Sequence, residues 1–196
     1  MLTFAISVFL LIITPGPGVL STAGFGAAYG FKQSLRYVFG LFLGTNLVFL
    51  AVASGLLAVL LSVPSLRIFL LFLSTCYLFY LASKIALAGS NIAFIKAKAP
   101  PGITSGVLLQ AINPKAYVVN TTFVSGFAFY QSSFVIELII KFLIINAIWI
   151  PLHLVWLYCG TVLHELNLSK KNQRIINLML SFSMIAAIVI SILYSI

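Results

Sequence analysis

No charged side chain interrupts the chain from Met1 to Phe31, from Tyr37 to Leu66, or from Ile175 to Ile196. A helix needs about 20 apolar residues to cross the hydrocarbon core of a bilayer, so runs of this length settle the solvent first. Lipid cannot satisfy exposed backbone groups, and segments of this kind must close their own hydrogen bonds as helices. Composition points the same way: 62% of the 196 residues are hydrophobic and 7% charged, against about 25% charged in a soluble domain. Intrinsic disorder is excluded by this apolarity, and a secreted disulfide scaffold by a count of two cysteines. Eleven Lys and Arg against two acids give a net charge of +9. These bases are too scattered to follow a phosphate backbone, so nucleic acid is not an expected partner.

Charges and prolines mark where the chain leaves the bilayer. They divide it into spans over Met1–Phe31, Tyr37–Leu66, Ile68–Ser83, Ile103 to about Phe129, Phe134 to about Val162, and Ile175–Ile196. The expected fold is an all-α integral membrane protein with six transmembrane helices. It forms one domain over residues 1–196, with halves of about 1–90 and 103–196 and a polar, Pro-rich linker at 89–102. Lys and Arg favour the cytoplasmic side. Lys32 and Arg36, then Lys84, Lys96 and Lys98, then Lys170, Lys171 and Arg174 fall in alternate loops. Both termini are therefore expected on the outer, periplasmic side, with Arg67 and Lys141 near the outer interface. The first segment lacks a basic start and a small-residue cleavage site, and reads as a retained helix rather than a signal peptide.

Three crossings per half would make any internal repeat inverted. Thr14-Pro15 and Asn113-Pro114 lie about a hundred residues apart, as do Asn46 and Asn146. Interrupted helices in matching positions of inverted halves are a transporter design, with the substrate held near the midplane. Thr14-Pro15-Gly16-Pro17-Gly18 breaks the first span, because each proline lacks an N–H and frees carbonyls around Leu11 to Thr14. Such backbone is tolerated at membrane depth only against protein or a watery cavity.

Asn113-Pro114-Lys115 is the companion break in the fourth span. If that helix starts at Ile103, Lys115 lies mid-bilayer, where a lysine costs about 2.5–3.5 kcal/mol and marks a functional site by default. If instead Ala116 to Ile136 forms one span, Lys115 snorkels to the cytoplasmic interface. On either reading a helix starts near Pro114, and its exposed N–H groups favour an anion. Asn46, Asn120 and Asn146 either line a polar route or bridge helices. His153 is either a packed, hydrogen-bonded residue or a proton carrier. Gly26-x-x-x-Gly30, Gly40-x-x-x-Gly44 and Gly102-x-x-x-Gly106 have the spacing that lets membrane helices approach closely.

Enzyme chemistry is not expected. The chain has no Asp, His164-Glu165 lacks the second His of a zinc-protease helix, and neither a Gly-x-Ser-x-Gly elbow nor a phosphate loop occurs. No cofactor or metal site is anticipated.

Several of these elements resemble one family. Pro15-Gly16-Pro17, Gly30 with Lys32, Gly40-x-x-x-Gly44, Ser54-Gly55-Leu56, Tyr77-Leu-Phe-Tyr-Leu81 and Asn113-Pro-Lys-Ala116 look like the LysE/RhtB-type amino-acid exporters, in order along nearly the whole chain. Gly18 stands where an Asn is common, Lys32 where Arg is frequent, and Ala82-Ser83 where Gly is usual; the last third matches in hydropathy alone. The resemblance implies secondary export of amino acids or close derivatives across a bacterial inner membrane, driven by an ion gradient. Combined with the breaks, it implies a site in which Lys115 and the helix starts after Pro17 and Pro114 hold a carboxylate. Carbonyls before Pro15 and Pro114, with Asn46, Asn113 and Asn146, would accept from an ammonium. Thr14, Gly16 and the prolines themselves complete the candidate substrate-binding set. A proton is the expected coupling ion, carried by Lys115, which desolvation disposes to release one, or by His153. The glycine motifs also permit a homo-oligomer. The rival reading is a non-transporting membrane scaffold, or a lipid-interacting or channel-like protein.

Overall fold

The computed structural model describes residues 1–14, 16–55 and 101–165, with isolated residues and pairs between 63 and 86 and between 169 and 185. Pro15, the 89–100 part of the linker, and much or all of the third and sixth expected spans lie outside the described residues. Within them are six helices and no strand: α1 (Leu2–Ile13), α2 (Pro17–Tyr29), α3 (Phe31–Ala53), α4 (Ile103–Ile112), α5 (Pro114–Ser125) and α6 (Phe134–Glu165).

Two of these, α3 and α6, are each long and apolar enough to cross a membrane, and α1 with α2, bent by 53°, supply a third crossing if taken together. By contrast α4 and α5 have 10 and 12 residues. At 1.5 Å per residue they reach roughly 15–18 Å, about half the hydrocarbon core.

Proline chemistry sets these ends. A residue before proline is pushed out of the helical region, and Thr14 (ψ 123°) and Asn113 (ψ 108°) both take extended ψ. Pro17 and Pro114 then open α2 and α5, where a missing N–H costs nothing. Pro151 sits inside α6, which continues through it.

Three boundary expectations are corrected. Lys32 and Arg36 do not occupy a loop; they lie on the first turns of α3, because Gly30 (φ 75°) alone turns the chain from α2 into α3. Charge does not end a helix, whereas a residue in the left-handed region does. The second span is shorter than Tyr37–Leu66 suggests: α3 stops at Ala53, followed by Gly55 (φ 74°). Nor does Ala116 to Ile136 form one helix. α5 ends at Ser125, and an irregular segment precedes α6.

The packing is inside-out relative to a soluble protein. Phe39, Leu47 and Leu50 on α3 and Ile139, Leu143 and Val155 on α6 are exposed, while Ser21, Thr22, Ser34, Gln110, Asn113, Asn120 and His153 are buried. α2 sits at the centre, buried around its whole circumference from Pro17 to Ala27, as expected of a helix apolar on all sides. Small residues allow that burial. A methyl on Gly160 would stand 2.1 Å from the Ala23 carbonyl oxygen, and one on Gly26 2.6 Å from that of Leu157, so α2 and α6 touch backbone to backbone. Gly40 and Gly106 do the same for α3 and α4, 2.1 Å from Ile103 O and 2.3 Å from Tyr37 O. Gly26, Gly40, Gly44 and Gly106 are thus taken up by contacts within the chain, whereas Gly102 has nothing within 4 Å among the described residues and Gly30 serves as the turn.

Candidate functional site

The two proline breaks meet. Lys115 Nζ, at the start of α5, donates to the Thr14 carbonyl oxygen at the end of α1 over 2.6 Å. That carbonyl is one of those a helix ending in proline leaves without a backbone partner. Gly16 lets the lysine cross it: a Cβ there would lie 2.7 Å from Lys115 Cδ.

Beside this crossing lies a small, open-mouthed cavity of about 60 Å3. Its polar lining comes from Thr45, Gln110, Asn113, Lys115, Asn120 and His153, with Gly16 and Gly18 between them. Its apolar walls include Ile12, Val19, Val119, Phe123, Ile145 and Trp149. Among the described residues, no acidic side chain lines it.

Hydrogen-bond logic orients the polar groups. The Lys115 backbone N–H donates to Asn113 Oδ1 (3.1 Å), so the Asn113 amide nitrogen faces the other way and donates to Gln110 Oε1 (2.9 Å). Gln110 Nε2 is left as a donor with no partner among the described residues. Asn120 Nδ2 donates to the Ala116 carbonyl (2.7 Å), which can only accept, leaving Asn120 Oδ1 as a free acceptor among those residues. His153 Nδ1 lies 3.0 Å from the Trp149 carbonyl and must therefore carry the proton. Neutral His153 then presents Nε2 as a lone pair, and its ring stacks on Trp149 with centroids 3.6 Å apart.

The capping of α5 refines the anion expectation. Pro114 has no N–H, Lys115 N–H goes to Asn113 Oδ1, and Ala116 N–H goes to Asn113 O at 3.0 Å. The first N–H groups of α5 are thus already satisfied, and what the break offers an anion is the Lys115 side chain. At α2, Gly16 caps without a side chain, and Gly18 N–H has no acceptor among the described residues.

Of the sequence-derived candidates, the structure brings Gly16, Asn113, Lys115 and His153 to the cavity. Thr14 joins through its carbonyl, Pro17 and Pro114 form the helix starts, and Pro15 lies outside the described residues. Asn46 and Asn146 are placed elsewhere. They bond to each other, Asn46 Nδ2 to Asn146 Oδ1 at 3.1 Å and Asn146 Nδ2 to Asn46 Oδ1 at 2.9 Å, and are not among the lining residues. Gln110 was not singled out from the sequence; its spacing of three residues before Asn113, on one helix face, is the signal that could have found it.

Lys141 lies buried within the protein. It is 1% exposed, paired with Glu137 at 2.7 Å and donating to the Val124 carbonyl at 2.9 Å. Glu137 in turn accepts from the backbone N–H groups of Phe129 (3.0 Å) and Tyr130 (2.7 Å). The i,i+4 acid is what lets Lys141 be buried.

A family model describing LysE type translocators matches residues 9–194. Among curated proteins, the chain is 29% identical over 120 residues to a cysteine/O-acetylserine efflux protein of Salmonella typhi, covering 61% of each chain. It is 24% identical over 126 residues to a leucine efflux protein of Enterobacter sp. (strain 638), covering 62% of this chain and 60% of the relative. The chain thus spans about three-fifths of the length of the curated relatives it matches. No solved structure matches the chain.

Proposed function

The chain belongs to the LysE type translocator family, and from that premise we propose that it exports an amino acid or close derivative from the cytoplasm of a bacterial cell. The observation that carries this reading is the Lys115–Thr14 crossing, which sets a cation and two interrupted helices beside an open cavity with a polar lining. Irregular backbone lining a cavity at membrane depth is how secondary transporters build substrate sites. The efflux of amino acids by the bacterial relatives, as their names state, supports the same substrate class.

The finer proposal is antiport by alternating access. Two inverted halves of three spans rock about the cavity, with both termini periplasmic. The matched bonding of Asn46 and Asn146 supports related halves: each amide nitrogen also donates to the carbonyl four residues before it, Phe42 at 2.8 Å and Phe142 at 2.9 Å. A proton is the coupling ion, with Lys115 and His153 as its carriers.

In cells, Lys115→Ala raises intracellular substrate without lowering the amount of protein in the membrane; unchanged efflux removes the assigned role. In proteoliposomes, saturable counterflow of labelled amino acids supports a carrier, unsaturable flux points to a pore, and absence of flux for every amino acid points to a scaffold. Export that persists on a sodium gradient after the proton gradient is collapsed rules out both proton carriers.

A further inference from the structure

Among the described residues, the cavity holds both polarities of unpaired hydrogen-bonding group and no carboxylate. A zwitterion needs donors for one end and acceptors for the other. The usual acceptor for an ammonium, an acidic side chain, is absent from the described lining, and Glu137 is committed to Lys141 and two backbone N–H groups. Two neutral acceptors remain: Asn120 Oδ1, on a residue 4% exposed, and His153 Nε2, on a residue 3% exposed. Neither atom has a partner among the described residues, and each is fixed in role because the other end of its side chain donates to a backbone carbonyl. On the donor side stand Gln110 Nε2 and the Lys115 ammonium.

Geometry places one acceptor and one donor together. The point where a Cβ would stand on Gly18 is 3.9 Å from His153 Nε2 and 3.9 Å from both Nε2 and Oε1 of Gln110, of which Oε1 already accepts from Asn113. A ligand lying over Gly18 meets a lone pair and an N–H at once, which suits adjoining ammonium and carboxylate groups on one carbon. We infer that Asn120 Oδ1 and His153 Nε2 form the subsite for the ammonium of an α-amino acid, and Gln110 Nε2 with Lys115 the subsite for its carboxylate. The substrate side chain then lies against the apolar walls of Val119, Phe123, Ile145 and Trp149. This inference rests on the export reading and departs from the sequence expectation, which gave the ammonium to Asn46, Asn113 and Asn146.

Trp149 reports on the site, since it stacks on His153. In purified protein carrying Trp156→Phe, the other tryptophan is removed, and quenching of Trp149 gives affinities for L-leucine, L-leucinamide (ammonium without carboxylate) and N-acetyl-L-leucine (carboxylate without ammonium). The quantity read is the ratio of the leucinamide Kd to the N-acetyl-leucine Kd. Asn120→Leu raises it at least tenfold and Gln110→Leu lowers it at least tenfold. Asn120→Asp, which adds a carboxylate in the same shape, lowers it and keeps the test decisive if Asn120→Leu fails to fold. His153→Gln, which keeps an acceptor, stays closer to the parent ratio than His153→Leu. A ratio insensitive to Asn120 and Gln110 in protein that still shows saturable leucine counterflow overturns the two subsites alone. Absence of both binding and counterflow for every amino acid tested, neutral, basic and acidic, overturns the subsites and the export reading together.

Discussion

Asn46 on α3 and Asn146 on α6 form a reciprocal carboxamide pair, each donating to the other's oxygen at 3.1 and 2.9 Å and to the carbonyl one turn behind it. All four donor hydrogens are thus used between two helices, and each oxygen accepts one bond, leaving only its second lone pair. The pair ties α3 to α6 and acts on the site from outside it.

Removing one member exposes the other. Asn146→Leu leaves the Asn46 amide without its partner and is expected to destabilise the protein by about 0.6–1.7 kcal/mol, the scale of interhelical hydrogen bonds in membranes. Asn46→Leu should cost the same, and the double variant less than the sum, because no orphaned amide remains. Thermal unfolding in detergent measures all three. Additive losses would show that the two amides do not bond.

Gly16 and Gly18 are two residues apart yet predict different failures. A methyl on Gly18 meets nothing closer than 3.9 Å, an ordinary contact, so Gly18→Ala should fold normally while filling space over which the ligand is expected to lie. Substrate affinity should fall about tenfold or more, the effect of a methyl forced into a close-packed space. A methyl on Gly16 meets Lys115 Cδ at 2.7 Å, and the flexible lysine must swing away from Thr14. Gly16→Ala should therefore reproduce the efflux loss of Lys115→Ala with near-normal protein abundance. Counterflow compared with membrane abundance checks both variants. Full activity in Gly18→Ala would place the ligand elsewhere in the cavity.

Membrane character, the break at Asn113-Pro114 and the prominence of Lys115, which lines the cavity, could be read from the chain because each follows from local chemistry: apolar length, the missing proline N–H, an isolated cation. The α2–α3 boundary was misplaced because charges at Lys32 and Arg36 look like a loop, while the turn is made by Gly30 alone. Gln110 and the burial of Lys141 depend on which face of a helix meets which neighbour. Their one-dimensional traces, spacings of three to Asn113 and four to Glu137, are common enough in any helix to carry little weight alone. Asn46 and Asn146 show the opposite case: their hundred-residue offset was visible, but partnership with each other and partnership with a substrate leave the same mark in a sequence.

The glycine spacing at 102 and 106 separates into one packed and one open position. Gly106 touches the backbone of α3, 2.3 Å from Tyr37 O and 2.5 Å from Leu41 N for an added Cβ, and backbone cannot move aside as a side chain can. Gly106→Ala should cost about 1–3 kcal/mol or more and reduce recovery of folded protein. Gly102→Ala, with open space around it, should behave as wild type. Equal effects in a thermal-unfolding comparison would mean that α3 and α4 do not meet at Gly106.

Glu137 and Lys141 close the far end of α5. The lysine holds the Val124 carbonyl near the end of that helix, the glutamate holds two N–H groups of the following segment, and the lysine nitrogen stands 6.0 and 5.7 Å from the Phe4 and Phe129 rings. Breaking a buried pair leaves one uncompensated charge, whereas replacing both partners removes the desolvation cost along with the attraction. Lys141→Met is therefore expected to lower the unfolding temperature more than the double variant Glu137→Gln/Lys141→Met, even though the double variant changes more. Neither substitution alters a residue lining the cavity, so folded double variant should retain substrate binding by Trp149 quenching. If the double variant unfolds earlier than Lys141→Met, the glutamate's hold on Phe129 and Tyr130 contributes more to stability than the charge pair, and the ordering of effects at this end of α5 is reversed.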